Sequence, residues 1–372
     1  MSGGIDRTTV VFAGGGHAHL YSLRRTASFA RRGYQVVLVN PSPYLYYSGM
    51  ATGIISGSYA PDENRIDVRR LVEGGGGRFI EGSVSRILSE ERELLLEGGE
   101  RVPYDAASFC LGSETLQSFA FTGRDSIPVK PVSNTKEVRA RVLGFEGNVN
   151  GPRVLIVGGG AAGCEVAANT ARLLEDSASG GRVTLTEAGS SLLFASPQKA
   201  RREVLDLLRR HRVEVLLNTA IISGEDGSFC TEDGRLLEAD LIILSTGIVS
   251  SPVFQSSSLA TGDDGGLWVD HYLRSVSDPR LFGGGDSISF RGQTLPRLGV
   301  FAVRQAPVLF HNLHATLRGE TLRRFKPQRR YLYVLNLGDG TGLAIHGSLV
   351  WRGRLALKLK HFLDTRFMAR YG

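Results

Sequence analysis

The sequence predicts an α/β protein of two nested domains, each built around the same strand, glycine turn and helix. Three observations carry this expectation. An apolar strand runs into a turn at Gly14, Gly15 and Gly16. The same layout returns 144 residues later, at Gly158, Gly160 and Gly163. "YDAASFCLGSET" (Tyr104 to Thr115) and "ADLIILSTGIVSS" (Ala239 to Ser251) are two versions of a further unit, an acid and an apolar strand leading to a turn at Gly112 or Gly247. With 372 residues the chain is long enough for two cores.

The first copy reads "VVFAGGGHAHLYSLRR". After the strand and the three glycines come His17 and Ala18, and His19 stands where G-x-G-x-x-G has its third glycine. The next strand, "YQVVLVN", ends in Asn40 rather than an acid. The second copy, "RVLIVGGGAAGCEVAANTARLL", is complete. Ala161 and Ala162 open a helix with Val166, Ala167, Thr170 and Leu173 at helical spacing, and "GRVTLTEAG" ends its strand at Glu187.

The pattern has a direct physical basis. The first glycine makes the tight turn, the second admits a pyrophosphate, and the third lets helix and strand pack closely. The helix N-terminus offers free N–H groups to phosphate. Glu187 can accept both ribose hydroxyls of an adenosine and would repel a 2′-phosphate, which favours NADH over NADPH. Asn40 can still bond a hydroxyl through its amide. The fold class is therefore two Rossmann-like domains, one nested in the other.

"KARREVLDLLRRHRVEVLL" reads as helix then strand. "LWVDHYLRSVSDPRLFGGGDSISF" gives a strand, a turn at Asp278 and Pro279, and a glycine run ending at Gly285 and Asp286. Hinges are expected near Gly123 to Val132 and Gly262 to Gly266. This divides the chain into 1–125 with 265–330, an insert at 126–264, and an extension at 331–372.

No uncharged stretch resembles a membrane span, and the N-terminus carries no signal-peptide pattern. Cys110, Cys164 and Cys230 form neither a disulfide framework nor a zinc spacing, which suits a reducing cytoplasm. His17 and His19 lack a third ligand, so no metal is expected; His17 is expected to satisfy the helix N-terminus. The net charge of +7 is concentrated at the end, where residues 323–372 hold eleven Lys/Arg against Asp339 and Asp364. That points to an anionic membrane surface rather than nucleic acid.

Taken together, these motifs make residues 8 to 330 resemble the two-dinucleotide-binding-domain flavoproteins, the pyridine nucleotide–disulfide oxidoreductase superfamily. The resemblance implies that the first unit binds FAD and the insert binds NAD(P)H. On the FAD side it implies Gly14, Gly15, Gly16, His17, Ala18 and Asn40; Ser48, in the loop "YSGM"; Val84 at the adenine; Cys110, Leu111 and Gly112 in place of the family's A-T-G; Gly285 and Asp286 at the ribityl chain; and Ala302. On the other side it implies Gly158, Gly160, Ala161, Ala162, Gly163, Glu187 and Gly247.

No cysteine precedes Cys110, so the family's dithiol relay is excluded, and none follows Cys230 to serve a sulfide:quinone oxidoreductase. What remains is similar to type II NADH dehydrogenases and ferroptosis-suppressor quinone reductases. "GGGHAH", "YSGM" and "GVFAVRQAPVL" look closest to a bacterial subgroup associated with selenophosphate synthetase. Glu165 matches an acid between nicotinamide and flavin; its other reading is a carboxylate held by the helix dipole. Gln305 matches a glutamine on the quinone side, while the second glutamine of that pattern falls near Val300 and is absent. The helix after Asp286 points its N-terminus at the flavin.

In "WRGRLALKLKHFLDTRFMAR", Trp351, Leu355, Leu359, Phe362, Leu363 and Phe367 form one apolar helical face among basic residues, expected at 351–370 as a membrane-surface anchor or as packing on the body or a second copy in a homodimer. The implied activity is electron transfer from NADH to a quinone, in the cytoplasm or peripheral on the inner face of the membrane. The alternatives are a soluble acceptor (an electron-transfer protein, a sulfur or a selenium species) and a slow NADH-sensing flavoprotein.

Overall fold

The computed structural model describes residues 8–116, 119–122, 126–145, 151–177, 180–225 and 227–372. The chain begins with β1 (Thr9–Ala13), an almost wholly buried strand of β-branched and aromatic residues. Two short helices, Leu20–Leu23 and Thr26–Ala30, lead to β2 (Gln35–Asn40). Helix α1 (Ser48–Ser56) follows, then β3 (Arg78–Glu81) and β4 (Ala106–Phe109). Strand β5 (Ser113–Thr115) leaves the domain.

The insert holds β6 (Ser126–Pro128), β7 (Arg153–Val157), helix α2 (Ala161–Asp176), β8 (Arg182–Thr186), β9 (Glu214–Leu216) and β10 (Leu241–Leu244). Strand β11 (Ile248–Ser250) returns, β12 (Leu281–Gly283) rejoins the first sheet, and helix α3 (Gly299–Arg318) runs beneath it. The chain ends in β13 (Leu332–Asn336), β14 (Gly342–His346), β15 (Leu349–Gly353) and helix α4 (Arg354–Tyr371).

The two main sheets repeat one another. The first runs β12-β4-β1-β2-β3 and the second β6-β10-β7-β8-β9, with every pair parallel. In both, the central strand ends in the glycine turn. The residue that answers that turn is the last of the strand beside it, Asn40, or the one directly after it, Glu187. This is the two-domain Rossmann-like α/β architecture read from the sequence.

The domain crossings lie closer to the first sheet than the glycine pattern suggested. Strands β5 and β11 pair antiparallel, Ser113 with Ser250 and Thr115 with Ile248, and form the double connection. Strand Ala120–Thr122 already pairs with Ile221–Glu225 of the insert. On the way back, Val253, Phe254 and Leu259 are buried in the first core. The expected return at Gly262 to Gly266 is therefore a turn inside the first domain, and Gly123 lies outside the described residues.

Residues 331–372 are not a separate extension either. Leu335, Leu337, Leu343, Ile345 and Val350 complete the core of the insert, while Tyr371, with Phe367 and Met368 against it, joins the first. Trp351 belongs to β15, not to the terminal helix.

The apolar face expected of α4 is divided. Ala356, Lys360, Asp364 and Tyr371 face the body. Leu355, Phe362 and Leu363 stand 78%, 56% and 44% exposed, beside exposed Lys358 and Arg366. Among the described residues no helix is long and apolar enough to cross a membrane.

Candidate functional site

Both glycine turns sit at the carboxyl ends of their central strands, where open α/β sheets bind ligands. Gly14 has φ +86° and Gly158 φ +109°, and a β-carbon at either would overlap the next strand's backbone, at Cys110 or Ser245. In the second turn a β-carbon at Gly163 would overlap the Gly158 carbonyl. Helix α2 starts there with no side-chain cap, and Gly160 and Ala162 are exposed. Its first N–H groups are thus open to an anion. Glu187 accepts from Gly159 N and Gly189 N, each at 2.7 Å. Gly247, with φ +105°, sits at the start of the return crossing.

The first turn is closed differently. His19, fully buried, places Nδ1 2.6 Å from the Gly14 carbonyl and Nε2 2.8 Å from Ser108 Oγ on β4. Burial lowers its pKa to about 4, so the ring is neutral. The imidazole thus fills by hydrogen bonding the space that a third glycine would close by contact. The helix after it is correspondingly broken, starting only at Leu20.

Beside this turn lies a cavity of about 360 Å³, within the ~300–1,000 Å³ span of small-molecule and cofactor sites. Its wall comes from Gly15, Gly16 and His17, from Asn40, from Cys110, Leu111 and Gly112, from Gly285 and Asp286, and from Ser48, Gly299 and Ala302. Most of the residues expected at a flavin are therefore brought together. The segment read as a loop at "YSGM" is the first turn of α1. Ala18 is fully buried beneath the turn and Val84 opens a β-meander strand, so neither lines the cavity. Gly82 N nonetheless donates to the Asn40 carbonyl at 3.0 Å, which places the segment before Val84 alongside Asn40.

Asp286 is held by Ser113 Oγ at 2.8 Å and faces Lys130 at 3.5 Å. Ser287 Oγ accepts from the N–H groups of Leu111 and Gly112, at 2.7 and 3.2 Å, tying this turn to the next. Gln305 is 1% exposed and its carboxamide oxygen accepts from Gly285 N at 2.7 Å. It therefore holds the turn carrying Asp286, whereas the resemblance had implied a place on the quinone side. His17 does not cap the following helix. Its Nε2 is buried with no partner, and its ring meets Tyr47 and Phe367 at 5.5 and 5.7 Å. Burial, then the Lys130 charge, lowers its pKa to about 4.

Cys110 lines the cavity, but burial pushes its thiol up to about 12; Cys164 is raised by the same cause and bonds the Gly159 carbonyl. All three cysteines are free. Glu165 Oε1 accepts from Asn336 N at 2.7 Å and lies 3.4 Å from Thr52 on α1. Burial raises its pKa to about 7, against the opposing charge of Lys360. Among the described residues no group of His, Cys, Asp or Glu could hold a metal.

Sequence reasoning missed Lys130 and Arg297, which also line the cavity, and the buried pair Lys360 and Asp364. Neither cation is part of a motif. In the sequence, Asp364 enters only the charge count of the C-terminal segment, and Lys360 has no role of its own.

The family profile described as pyridine nucleotide-disulphide oxidoreductase matches residues 8–306. The chain belongs to that family. Its fold is that of FAD- and NADH-dependent oxidoreductases, although this chain has no dithiol pair of the kind the family's description names. It is 33% identical over 190 residues to a type II NADH:quinone oxidoreductase of Haemophilus influenzae, a match spanning 48% of this chain and 43% of that protein. It is 23% identical to the demethylphylloquinone reductase NdbB of Synechocystis, over 96% of this chain and 92% of the other. The structure of NDH2 from Plasmodium falciparum in complex with NADH superposes with a TM-score of 0.83 at 14% identity, covering 97% and 95% of the two chains.

Proposed function

We propose that this protein is an FAD-dependent enzyme that takes electrons from NADH and delivers them to a quinone. The observation that carries the reading is the duplicated turn with unequal partners. One copy opens on the cavity and is answered by neutral Asn40. The other offers free helix N–H groups and is answered by Glu187. The cavity's lining fits FAD: a glycine turn in which a β-carbon at Gly16 would overlap Cys110, the Asp286 carboxylate, and the neutral Asn40 amide.

FAD bound there supplies the hydride-accepting chemistry. Asp286 would orient the ribityl hydroxyls. The N-terminus of α3, at Gly299 and Ala302, brings partial positive charge to the cavity and favours a reduced, anionic occupant. Gln305 keeps Gly285 and Asp286 in register. Glu187 holds the adenosine ribose of NADH and disfavours a 2′-phosphate.

A quinone acceptor is supported by the Haemophilus and Synechocystis relatives and by the surface of α4. Leu355 and Phe362 lie exposed among Lys358 and Arg366, the chemistry of an interfacial helix on an anionic bilayer. The test is anaerobic. One equivalent of NADH should bleach the flavin band of the purified protein, and a short-chain quinone should restore it rapidly. A yellow protein that NADH leaves unbleached would refute the reading. Bleaching without recovery would retain the NADH half and discard the quinone.

A further inference from the structure

Helix α4 carries two buried charges that the proposed reaction does not use. Lys360 Nζ and Asp364 Oδ2 are 2.8 Å apart, with side chains 8% and 6% exposed. A buried ion pair is tolerated only where its remaining protons and lone pairs are satisfied, and a well-packed apolar pair usually serves stability as well or better. Here the extra partners both lie beside the cavity. Asp364 Oδ1 accepts from Tyr47 Oη at 2.9 Å, and Lys360 Nζ donates to the Gly49 carbonyl.

Tyr47 and Gly49 flank Ser48, which lines the cavity at the first turn of α1. The Tyr47 ring stacks on Phe367 of α4 at 4.6 Å, and both rings meet His17, which lines the cavity. The two charges of α4 thus hold Tyr47 and Gly49, the residues on either side of Ser48 in the cavity wall.

We propose that Asp364 is a positioning residue for the flavin: through Tyr47 and Lys360 it sets the first turn of α1 and the ring of His17, and so tunes the flavin's affinity and redox equilibrium. This rests on the cavity being the flavin site. The field argument has a definite sign. Neutralising Asp364 removes one of the two carboxylates that face Lys360, Glu165 being the other, and so makes the surroundings of the cavity more positive. A more positive surrounding favours the reduced, more negative flavin.

Three variants test the proposal: Asp364→Asn, Tyr47→Phe, and the apolar pair Lys360→Met with Asp364→Leu, which keeps the fold testable if Asp364→Asn alone does not fold. The measurements are FAD affinity of the apoprotein by flavin fluorescence quenching, flavin midpoint potential by dye equilibration, melting temperature, and kcat with a short-chain quinone.

Asp364→Asn should shift the two-electron equilibrium toward reduced flavin by roughly tenfold, about 30 mV. Tyr47→Phe and the apolar pair should each weaken FAD binding severalfold and lower kcat about tenfold, with the KM for NADH within twofold of wild type. Variants that change only the melting temperature would show a purely structural pair and overturn the proposal. Wild-type protein that takes up no FAD would overturn the functional reading itself, and the proposal with it. Wild type that binds FAD and is bleached by NADH, with unchanged potentials, affinities and kcat in all variants, would overturn the proposal alone.

Discussion

Asn40 and Glu187 do the same structural work in the two halves of the molecule. Gly15 N donates to Asn40 Oδ1 at 2.7 Å, and Gly159 N donates to Glu187 Oε2 at 2.7 Å. Each side chain stands at the carboxyl end of the second strand, Asn40 as its last residue and Glu187 just after it, and reaches back to the middle glycine of its turn. An amide suffices for that bond. The negative charge is therefore free to be used for ligand choice, and only the second site keeps it.

Removing the Asn40 amide should be costly for this reason. Asn40→Ala leaves the buried Gly15 N–H without a partner, a loss of about 1–3 kcal/mol. A lower melting temperature and partial loss of flavin on purification are expected, whereas Asn40→Asp should retain both. Equal behaviour of the alanine variant and wild type would show that the turn holds itself.

At the second site the charge should govern cofactor choice. Glu187→Gln keeps an oxygen for Gly159 N and removes the repulsion of a 2′-phosphate. The ratio of kcat/KM for NADH over NADPH should fall about tenfold, worth ~1.4 kcal/mol. An unchanged ratio would place the discrimination elsewhere.

The repeated sheets and the two turns were legible because each rests on local chemistry, strand, glycine and acid; Asp286 came from the family resemblance. His19 was legible only as a defect. That it bridges Gly14 and Ser108 depends on a strand 89 residues away, and no local pattern carries such a contact. Lys360 and Asp364 failed for a related reason. Helical periodicity assigns charges to the wet face, and only the tertiary partners Tyr47 and Gly49 make burial of these two possible. The domain crossings were misplaced because glycines mark turns in general. The two crossings are instead a strand pair, β5 with β11.

His19 should behave as a core residue. His19→Ala leaves a cavity and strips partners from Ser108 and the Gly14 carbonyl, costing about 2–4 kcal/mol. His19→Gly should not recover this, because the helix has not closed onto the turn as it does at Gly163. A glycine variant more stable than wild type would mean that the turn can collapse to the standard packing.

Cys110 and Cys164 should be chemically silent. Burial holds both thiols protonated at neutral pH, and the thiolate is the reactive form. Native protein treated with iodoacetamide at pH 7.5 should carry label at Cys230 only, and Cys110→Ala should keep most of the activity. Rapid labelling of Cys110 would reopen a thiol role beside the flavin.

Glu165 makes stability depend on pH in a stated direction. It is faced by Thr52 of α1, Asn336 of β13, and Lys360 and Asp364 of α4. Its raised pKa means that the folded protein holds this proton more tightly than the unfolded chain. That stabilisation is complete below the ordinary value of 4.5 and is lost as pH rises through about 7. The full span is at most about 3 kcal/mol. Glu165→Gln keeps an acceptor for Asn336 N and cannot titrate. The variant should therefore melt close to wild type at pH 5 and several degrees above it at pH 8. A difference that stays constant from pH 5 to pH 8 would show that Glu165 is ionised throughout, with Lys360 rather than burial deciding its charge.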